Sequence, residues 1–567
     1  MSLVEVTGLQ VDFGGLRAVD GLSFRLEQGA ALALVGESGS GKSTVASALL
    51  GLHRGTGARV RGRVEVAGTD VQAATDEELR RLRGGKAAMV FQDPLSSLDP
   101  YYAIGDQIAE VHRVHARVSR RAARARAVEV LDRVGIPDAA RRARSRPHEF
   151  SGGMRQRALI AMALACEPAL LIADEPTTAL DVTVQAQVLD LLHDLRTETG
   201  MGLLLVTHDV GVAAESVDEV LVMRHGRAVE HGPVTTVLGA PERPYTRELL
   251  AAVPRLDVPR VDVPRARTAT PEGLPGSFRG GLPGDVPGSL AGDVPGSLPG
   301  DLTGEIVLEA SGLRRDFGRG KRAVTAVDDV SLTLRRGETL GVVGESGSGK
   351  TTLGRMLVGL LEPTAGSLTF DGRPHTGVNP AVQMVFQDPV SSLNPRRSVG
   401  ESVADPLRAR GERDGNRVRQ RVGELLQRVG LDAAHQDRYP HEFSGGQRQR
   451  VGIARALAAD PRVIVCDEPV SALDVTTQAH VVSLLAELQR ELGLALVFVA
   501  HDLAVVRQVS DRVAVMRRGR IVEEGPADEV YVSPRDPYTR QLLAAVPALD
   551  PEAAARRRAE RREPAVA

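Results

Sequence analysis

The chain is poor in several residue types that would mark specialised protein classes. Its 567 residues include two cysteines, no tryptophan and only 3% aromatic residues. Cys166 and Cys466 lie far apart and among apolar neighbours, so a disulfide scaffold is excluded and we expect buried, reduced thiols in a reducing compartment. Neither charge sign dominates, since the formal net charge is −2. A global basic field of the kind that drives nucleic-acid binding is therefore absent.

Long apolar runs are also missing. No stretch approaches the roughly 18 apolar residues that a membrane-spanning helix needs, and no basic-then-apolar leader opens the chain. We therefore expect any membrane role to require a partner. The hydrophobic content of 42% and charged content of 25% are those of an ordinary globular protein with sizeable cores.

A glycine-rich nonapeptide occurs twice, at 36–44 and at 344–352. Both copies fit G-x-x-x-x-G-K-[ST], a loop whose backbone N–H groups cradle phosphate oxygens at the start of a helix. Lys42 and Lys350 would reach the β- and γ-phosphates, while Ser43 and Thr351 would ligate Mg²⁺. The residues expected to contact nucleotide here are Gly36, Ser38, Gly39, Ser40, Gly41, Lys42, Ser43, Thr44, Gly344, Ser346, Gly347, Ser348, Gly349, Lys350, Thr351 and Thr352.

The whole chain behaves as a duplication, because further motifs recur in the same order about 300 residues later. We predict a first domain at 1–253, a flexible Pro/Gly-rich linker at 254–304, a second domain at 305–548 and a charged tail at 549–567, frayed from Ala553. A docking role for the linker is the alternative.

Short apolar runs precede the chemical residues of each copy. In the first copy they occupy 31–35, 170–173 and 203–206, before the phosphate loop, Asp174 and His208 respectively. Such runs predict buried parallel strands with functional residues at their carboxyl ends, and thus an α/β core. The Arg/Ala/Glu/Leu-rich text between Gln92 and Ser151 predicts a helical insertion on that core.

Two motifs suggest what happens to the nucleotide. Paired carboxylates end an apolar strand at Asp174-Glu175 and at Asp467-Glu468; the first acid can hold the Mg²⁺ shell and the second can polarise water. Helix capping or surface charge would explain an isolated pair equally well. A serine and two glycines also precede an Arg-rich helix in each copy, which predicts a second anion site. These residues are Ser151, Gly152, Gly153, Ser444, Gly445 and Gly446.

At this point the chain resembles the ATP-binding cassette (ABC) ATPases over about 4–254 and 306–547. The matching elements are the phosphate loop, the glutamine loop, the Ser-Gly-Gly signature, the Asp-Glu strand, an Ala-Leu-Asp loop and a switch histidine. Beyond the residues above, these motifs include Gln92, Gln387, Ala179, Leu180, Asp181, Ala472, Leu473, Asp474, His208 and His501. The resemblance implies two P-loop NTPase domains, each an α/β core with a helical insertion.

The resemblance also implies an arrangement and roles. In the family two domains pack head to tail, so Lys42 would face 444–446 and Lys350 would face 151–153 across an intramolecular pseudo-dimer. Catalytic roles fall to Glu175, His208, Glu468 and His501, and Mg²⁺ to Ser43, Gln92, Asp174, Thr351, Gln387 and Asp467. Phe13 and Phe317 would stack on adenine, with plain core packing as the alternative.

Both copies retain lysine, glutamate and histidine, so we expect both sites to turn over. Met154 replaces a glutamine that many members have, with little expected loss.

Three further motifs resemble one branch of the family. They are Asp-Pro-x-Ser-Ser-Leu-[DN]-Pro at 93–100 and 388–395, His-Glu-Phe before each signature, and Pro-Tyr-Thr-Arg-x-Leu-Leu-Ala-Ala-Val-Pro at 244–254 and 537–547. The combination is similar to fused ATPase subunits of oligopeptide, dipeptide, nickel and glutathione-type importers. The C-terminal extensions contain no cysteine, so we expect no iron–sulfur cluster.

The branch implies partners that lie outside this chain. These are two permease subunits and an extracytoplasmic binding protein, with the ATPase at the cytoplasmic face of the plasma membrane. Peptide, glutathione, nickel and opine-like cargoes stay open. The alternatives are a tandem ABC ATPase that acts on ribosomes or nucleic acid, and the motor of an exporter.

Overall fold

The computed structural model describes residues 2–178, 180–256, 304–318, 324–388, 392–471 and 473–562. Within them the two halves of the chain repeat the same order of strands. The predicted linker at 254–304 lies outside the described residues except at its edges, as do Ala179 and Ala472. None of the helices described has the length and apolarity needed to cross a membrane.

The described residues of the first half form ten strands. They are β1 Ser2–Phe13, β2 Leu16–Glu27, β3 Ala31–Val35, β4 Arg59–Val66, β5 Thr69–Asp70, β6 Ala87–Val90, β7 Leu170–Asp174, β8 Gly202–Thr207, β9 Glu219–Arg224 and β10 Arg227–Pro233. Its helices are Lys42–Leu49, Asp76–Leu82, Pro94–Ser97, Ile104–Ala116, Arg120–Arg133, Ala139–Arg142, Gly152–Leu164, Val182–Thr199, Val210–Ser216, Val234–Gly239 and Pro244–Ala252, with a 3₁₀ turn at Pro147–Glu149.

The second half repeats the order of the strands, but its described residues contain no counterpart of the helix Asp76–Leu82. Its strands are β11 Ile306–Phe317, β12 Val324–Arg335, β13 Thr339–Val343, β14 Ala365–Phe370, β15 Arg373–Pro374, β16 Val382–Val385, β17 Val463–Asp467, β18 Ala495–Val499, β19 Arg512–Arg517 and β20 Arg520–Pro526. Its helices are Lys350–Leu357, Val399–Ala409, Gly415–Arg428, Gly445–Leu457, Val475–Leu492, Leu503–Val509, Ala527–Val532, Pro537–Ala544 and Pro551–Arg562, with 3₁₀ turns at Ala433–Asp437 and Pro440–Glu442.

Each half combines two sheets. In the first half the six-stranded sheet has the order β10-β9-β3-β8-β7-β6, and β9, β3, β8, β7 and β6 run parallel. The antiparallel four-stranded sheet has the order β2-β1-β4-β5. The second half repeats both orders. The predicted α/β core with parallel strands is confirmed, whereas the antiparallel sheet was not predicted.

The central strand β3 shows why the apolar runs are continuous. All five of its residues are buried. Leu32 and Leu34 pack with the antiparallel sheet and the helix Lys42–Leu49, whereas Ala33 and Val35 pack with the helical insertion on the other face. A strand covered on both faces needs apolar residues at every position. The phosphate loop begins where this strand ends, at the edge of the sheet.

The two cysteines differ in environment, and both are free thiols. Cys466 on β17 is fully buried, and burial raises the pKa of its thiol to about 12. Cys166 is only partly buried, so the expectation of a buried thiol is wrong for this residue.

The C-terminal stretch differs from the frayed tail that was predicted. The helix Pro551–Arg562 packs on the helix Val210–Ser216 of the first half. Arg558 lies 3.6 Å from Asp190 and donates to the carbonyl oxygen of Glu215, near the end of that helix. An arginine can satisfy a terminal helix carbonyl and an acid together. The prediction failed because it treated these charges as solvated, without the acceptors that the other half supplies.

Candidate functional site

The first phosphate loop connects β3 to the helix Lys42–Leu49 and lies tightly against its neighbours. A Cβ at Gly36 would come within 2.2 Å of the carbonyl oxygen of Met223, and one at Gly344 within 2.2 Å of that of Met516. Any larger residue would have to displace backbone. The glycine at the start of each loop is therefore required by close packing.

The loop lysines lie inside their own loops. Nζ of Lys42 donates to the carbonyl oxygens of Gly36 and Glu37, both at 2.8 Å, and Lys350 makes the equivalent contacts at 2.7 and 2.8 Å. Both side chains are buried, and this burial lowers their pKa despite the acids around them. A cation at this point is placed for the phosphates that the loop would cradle.

A hydroxyl and a carboxylate meet beside each loop. Oγ of Ser43 donates to Oδ1 of Asp174 at 3.0 Å, and Oγ1 of Thr351 donates to Oδ1 of Asp467 at 3.0 Å. Burial raises the pKa of Asp174 to about 6, although the Ser43 hydrogen bond opposes the shift, and it raises the pKa of Asp467 in the same direction. Two oxygen donors at a loop for phosphates fit the hard ligand set of Mg²⁺.

The next acid, Glu175, is held in an unusual backbone conformation. Its φ is 49°, in the left-handed region, and its N–H donates to the carbonyl oxygen of Val206 at 2.8 Å. Oε2 accepts from Nε2 of Gln92 at 2.7 Å and from Oγ1 of Thr178 at 3.0 Å. Oε1 lies 3.1 Å from Nδ1 of His208. Strained backbone of this kind is retained where the surroundings fix a functional side chain.

The second half repeats the cluster. Glu468 has a φ of 45°, and its Oε2 lies 2.7 Å from Nε2 of Gln387 and 3.4 Å from Nδ1 of His501. The structure thus brings the predicted glutamine, glutamate and histidine together twice. Thr178 was missed by the sequence analysis, since nothing in its spacing distinguishes it from an ordinary turn residue.

Each glutamate and histidine form an ion pair. Burial raises the pKa of Glu175, but the hydrogen bond and charge of His208 outweigh burial, and the net pKa is lowered. Burial likewise lowers the pKa of His208, and Glu175 outweighs it, so that the net pKa is raised. Glu468 and His501 are shifted in the same directions. The glutamate is therefore a carboxylate at neutral pH.

The Ser-Gly-Gly motifs begin helices, as predicted. Oγ of Ser151 accepts from the N–H of Met154 at 3.3 Å and caps the helix Gly152–Leu164, and Ser444 caps the helix Gly445–Leu457 in the same way. A Cβ on Gly153 would come within 2.4 Å of Cγ1 of Val184. Both serines are exposed, so their N-terminal turns are accessible to an anion.

Each phosphate loop also contacts the opposite half of the chain. Oδ2 of Asp181 accepts from the N–H of Ser346 at 3.3 Å, and Oγ1 of Thr476 donates to Oε1 of Glu37 at 3.0 Å. Asp181 and Thr476 stand at the starts of equivalent helices, Val182–Thr199 and Val475–Leu492. The phosphate loop of each half therefore contacts the N-terminal end of a helix from the other half.

The two aromatic candidates have different surroundings. Phe13 packs against the core under the antiparallel sheet and meets His53 edge-on, with ring centroids 5.4 Å apart. Phe317 is 41% exposed, and the guanidinium of Arg315 lies 5.1 Å from its ring. Adenine stacking by either residue stays a prediction.

Comparison with known proteins gives the class of this chain. A family model described as "ABC transporter" matches residues 19–178 and 327–471. A second one, "Oligopeptide/dipeptide transporter, C-terminal region", matches 229–277 and 522–567. The chain belongs to the ABC transporter family, and its two cassettes each carry the C-terminal region of the oligopeptide/dipeptide transporters.

Curated relatives resemble the chain over nearly its full length. The "Glutathione import ATP-binding protein GsiA" of Salmonella choleraesuis is 45% identical over 97% of this chain and 90% of its own. The proteins of that name from Escherichia coli and Pectobacterium atrosepticum are both 46% identical, over 94% and 97% of this chain and 87% and 90% of their own lengths.

These findings confirm the class that the motifs predicted. The protein binds and hydrolyses ATP and is a tandem ATPase subunit of an ABC transporter of the oligopeptide/dipeptide branch. Nothing in the comparisons favours an ATPase that acts on ribosomes or nucleic acid.

The raised pKa of Asp174 predicts a stability penalty in the nucleotide-free protein. A carboxyl whose pKa rises from 3.8 unfolded to about 6 folded costs no stability below pH 3.8, an increasing amount up to pH 6, and the full amount above. Asp174→Asn should therefore stabilise the protein by about 3 kcal/mol at pH 8 and by about half as much at pH 5. Urea unfolding at both pH values measures this difference, and a gain that is equal or larger at pH 5 would contradict it.

Proposed function

We propose that this chain is the ATPase of an importer for peptides or related small cargo, with glutathione as the first cargo to test. The curated relatives are named glutathione import ATP-binding proteins and align over about nine-tenths of their length. The observation that supports the mechanism is that each half brings a glutamine, a glutamate and a histidine together beside its phosphate loop, and each phosphate loop contacts the opposite half.

Two composite nucleotide sites follow from this arrangement. One would pair the Lys42 loop with Ser444–Gly446, and the other the Lys350 loop with 151–153. The cross-contacts of Asp181 and Thr476 support it, because each signature helix belongs to the same half as the residue that touches the opposite loop. Covalent fusion keeps the local concentration of the partner domain high.

The catalytic residues divide the work of hydrolysis. Lys42 would hold the β- and γ-phosphates, and Ser43 and Asp174 would hold Mg²⁺, which when bound neutralises phosphate charge. Glu175, kept as a carboxylate by His208, would polarise the attacking water. His208 would then leave its present partner for the γ-phosphate.

Gln92 would couple movement of the permease to the catalytic acid. Its bond to Glu175 ties the catalytic acid to the segment that leads into the helical insertion. A permease that shifts this segment would move the glutamine away from the acid. The second half would do the same through Gln387 and Glu468, so both sites are equipped to turn over.

The transport assembly would contain parts outside this chain. Two permease subunits would form the membrane path, an extracytoplasmic binding protein would deliver cargo, and the ATPase would sit at the cytoplasmic face of the plasma membrane as a peripheral subunit. The permeases would then supply the apolar helices that span the membrane.

The first prediction for this mechanism concerns the two glutamates. Glu175→Gln with Glu468→Gln should lower kcat at least about 100-fold, because the amide cannot act as a base, while ATP stays bound. Phosphate release and retention of ATP through gel filtration measure the two effects. Glu198→Gln with Glu491→Gln is the matched control, since these exposed glutamates only pair with Arg133 and Arg428. Undiminished hydrolysis in the first pair would refute the assignment.

A second experiment tests the pairing of loops and signatures. In the Glu175→Gln, Glu468→Gln background, Lys42→Ala with Ser444→Arg damages one composite site twice and should leave one ATP retained per chain. Lys42→Ala with Ser151→Arg damages both sites and should leave none. Two lesions in one site cost little more than one, which makes the comparison sharp. The reverse pattern would show that each domain encloses its own nucleotide.

A third experiment tests the cargo. Deletion of the gene should abolish uptake of radiolabelled glutathione by the cells, the wild-type chain should restore it, and the Glu175→Gln, Glu468→Gln chain should not. Restored uptake of a dipeptide or of nickel instead would reassign the cargo, and unchanged uptake of all three would contradict import.

A further inference from the structure

Two tyrosines of the C-terminal segments reach back to the phosphate loops. The hydroxyl oxygen of Tyr245 accepts from the N–H of Glu37 at 3.4 Å, and that of Tyr538 accepts from the N–H of Glu345 at 3.1 Å. Glu37 and Glu345 are the second residues of their loops. The contact occurs independently in both halves, and both tyrosines are buried, 6% and 3% exposed.

The same peptide units are held from the other side by the loop lysine. Lys42 donates to the carbonyl oxygens of Gly36 and Glu37, so the Glu37 residue has its carbonyl bound to the lysine and its N–H bound to the tyrosine. Both backbone groups of Glu37 are thereby satisfied within the protein. Contacts within the protein therefore fix the first turn of the loop.

The tyrosine itself is firmly placed. Pro244 begins its helix, and the preceding N–H groups of Glu242 and Arg243 donate to the carboxylate of Glu230 on β10 at 2.9 and 3.2 Å. The guanidinium of Arg224 lies 4.5 Å from the Tyr245 ring. In the second half Glu523 and Arg517 make the equivalent contacts. Each hydroxyl is thus presented from a rigid element.

The helices that carry the tyrosines also pack on the opposite half. Pro244–Ala252 contacts Val475–Leu492, the helix whose Thr476 bonds Glu37. In the other direction Val182 and Ala186 share a core with Tyr538 and Leu542. The helices Pro244–Ala252 and Pro537–Ala544 therefore each lie between the phosphate loop of their own half and a helix of the opposite half.

We infer that Tyr245 and Tyr538 are positioning residues for nucleotide binding, whose hydroxyls hold the phosphate loops in their binding conformation. This inference rests on the proposed nucleotide sites. It gives the C-terminal region of this transporter branch a task inside the ATPase. The hydroxyl acts through the loop backbone and does not touch the nucleotide.

The test is the double variant Tyr245→Phe, Tyr538→Phe in the full-length chain. It removes the two acceptors and keeps both rings. The loop N–H groups lose a hydrogen bond, so the Kd for Mg·ATP and for Mg·ADP should rise about threefold to tenfold. The KM for ATP should rise in parallel, while kcat changes less than about twofold, because the interaction is the same in ground and transition states.

The matched control is Thr246→Val with Thr539→Val. These buried hydroxyls lie one residue along the same helices, next to the carboxylates of Glu230 and Glu523. Their loss should leave the Kd for nucleotide unchanged. Equal rises of Kd in both double variants would overturn the inference, because the helix alone would then be responsible, and so would an unchanged Kd in the tyrosine variant.

A lysine variant separates this inference from the function on which it rests. Lys42→Ala with Lys350→Ala should abolish nucleotide binding. If it does and the tyrosine variant binds normally, only the positioning role fails. If the lysine variant still binds nucleotide with the wild-type Kd, the proposed sites fail and the inference fails with them.

Discussion

The arrangement of this protein depends on what reaches each phosphate loop from outside its own domain. Asp181 accepts from the Ser346 amide, and Thr476 donates to Glu37, so each half contacts the phosphate loop of the other. If the proposed composite sites are correct, nucleotide binding and domain contact are parts of one equilibrium. The helices Pro244–Ala252 and Pro537–Ala544 extend the same contact region, since each packs between the phosphate loop of its own half and a helix of the other half.

Two neighbouring buried acids differ in the direction of their pKa shifts. Burial raises the pKa of Asp174, and the hydrogen bond of Ser43 and the charge of Lys42 offset this rise only in part. Glu175 is the next residue, yet His208 keeps it ionised. A divalent cation would stabilise the ionised form of Asp174, whereas Glu175 already has the charge that a base needs.

Much of the site was predictable because its residues follow buried strands. The apolar runs before the phosphate loop, Asp174 and His208 are short and continuous, and parallel strands bring their ends to one edge. Long-range partners left no such signal. The Tyr245 contact joins residues far apart in sequence. The antiparallel sheet depends on pairing between strands in which apolar and polar residues alternate only weakly. The docked helix Pro551–Arg562 was missed because its arginines find acceptors on the other half. Domain limits and site roles stay predictions.

A structure determined with Mg²⁺ and a non-hydrolysable ATP analogue tests the central claim most directly. The account predicts two nucleotides per chain, each in contact with the loop lysine of one half and the Ser-Gly-Gly turn of the other, with Tyr245 and Tyr538 still bonded to the loops. Nucleotides that are each enclosed by a single half, with the opposite signature turned away, would contradict it.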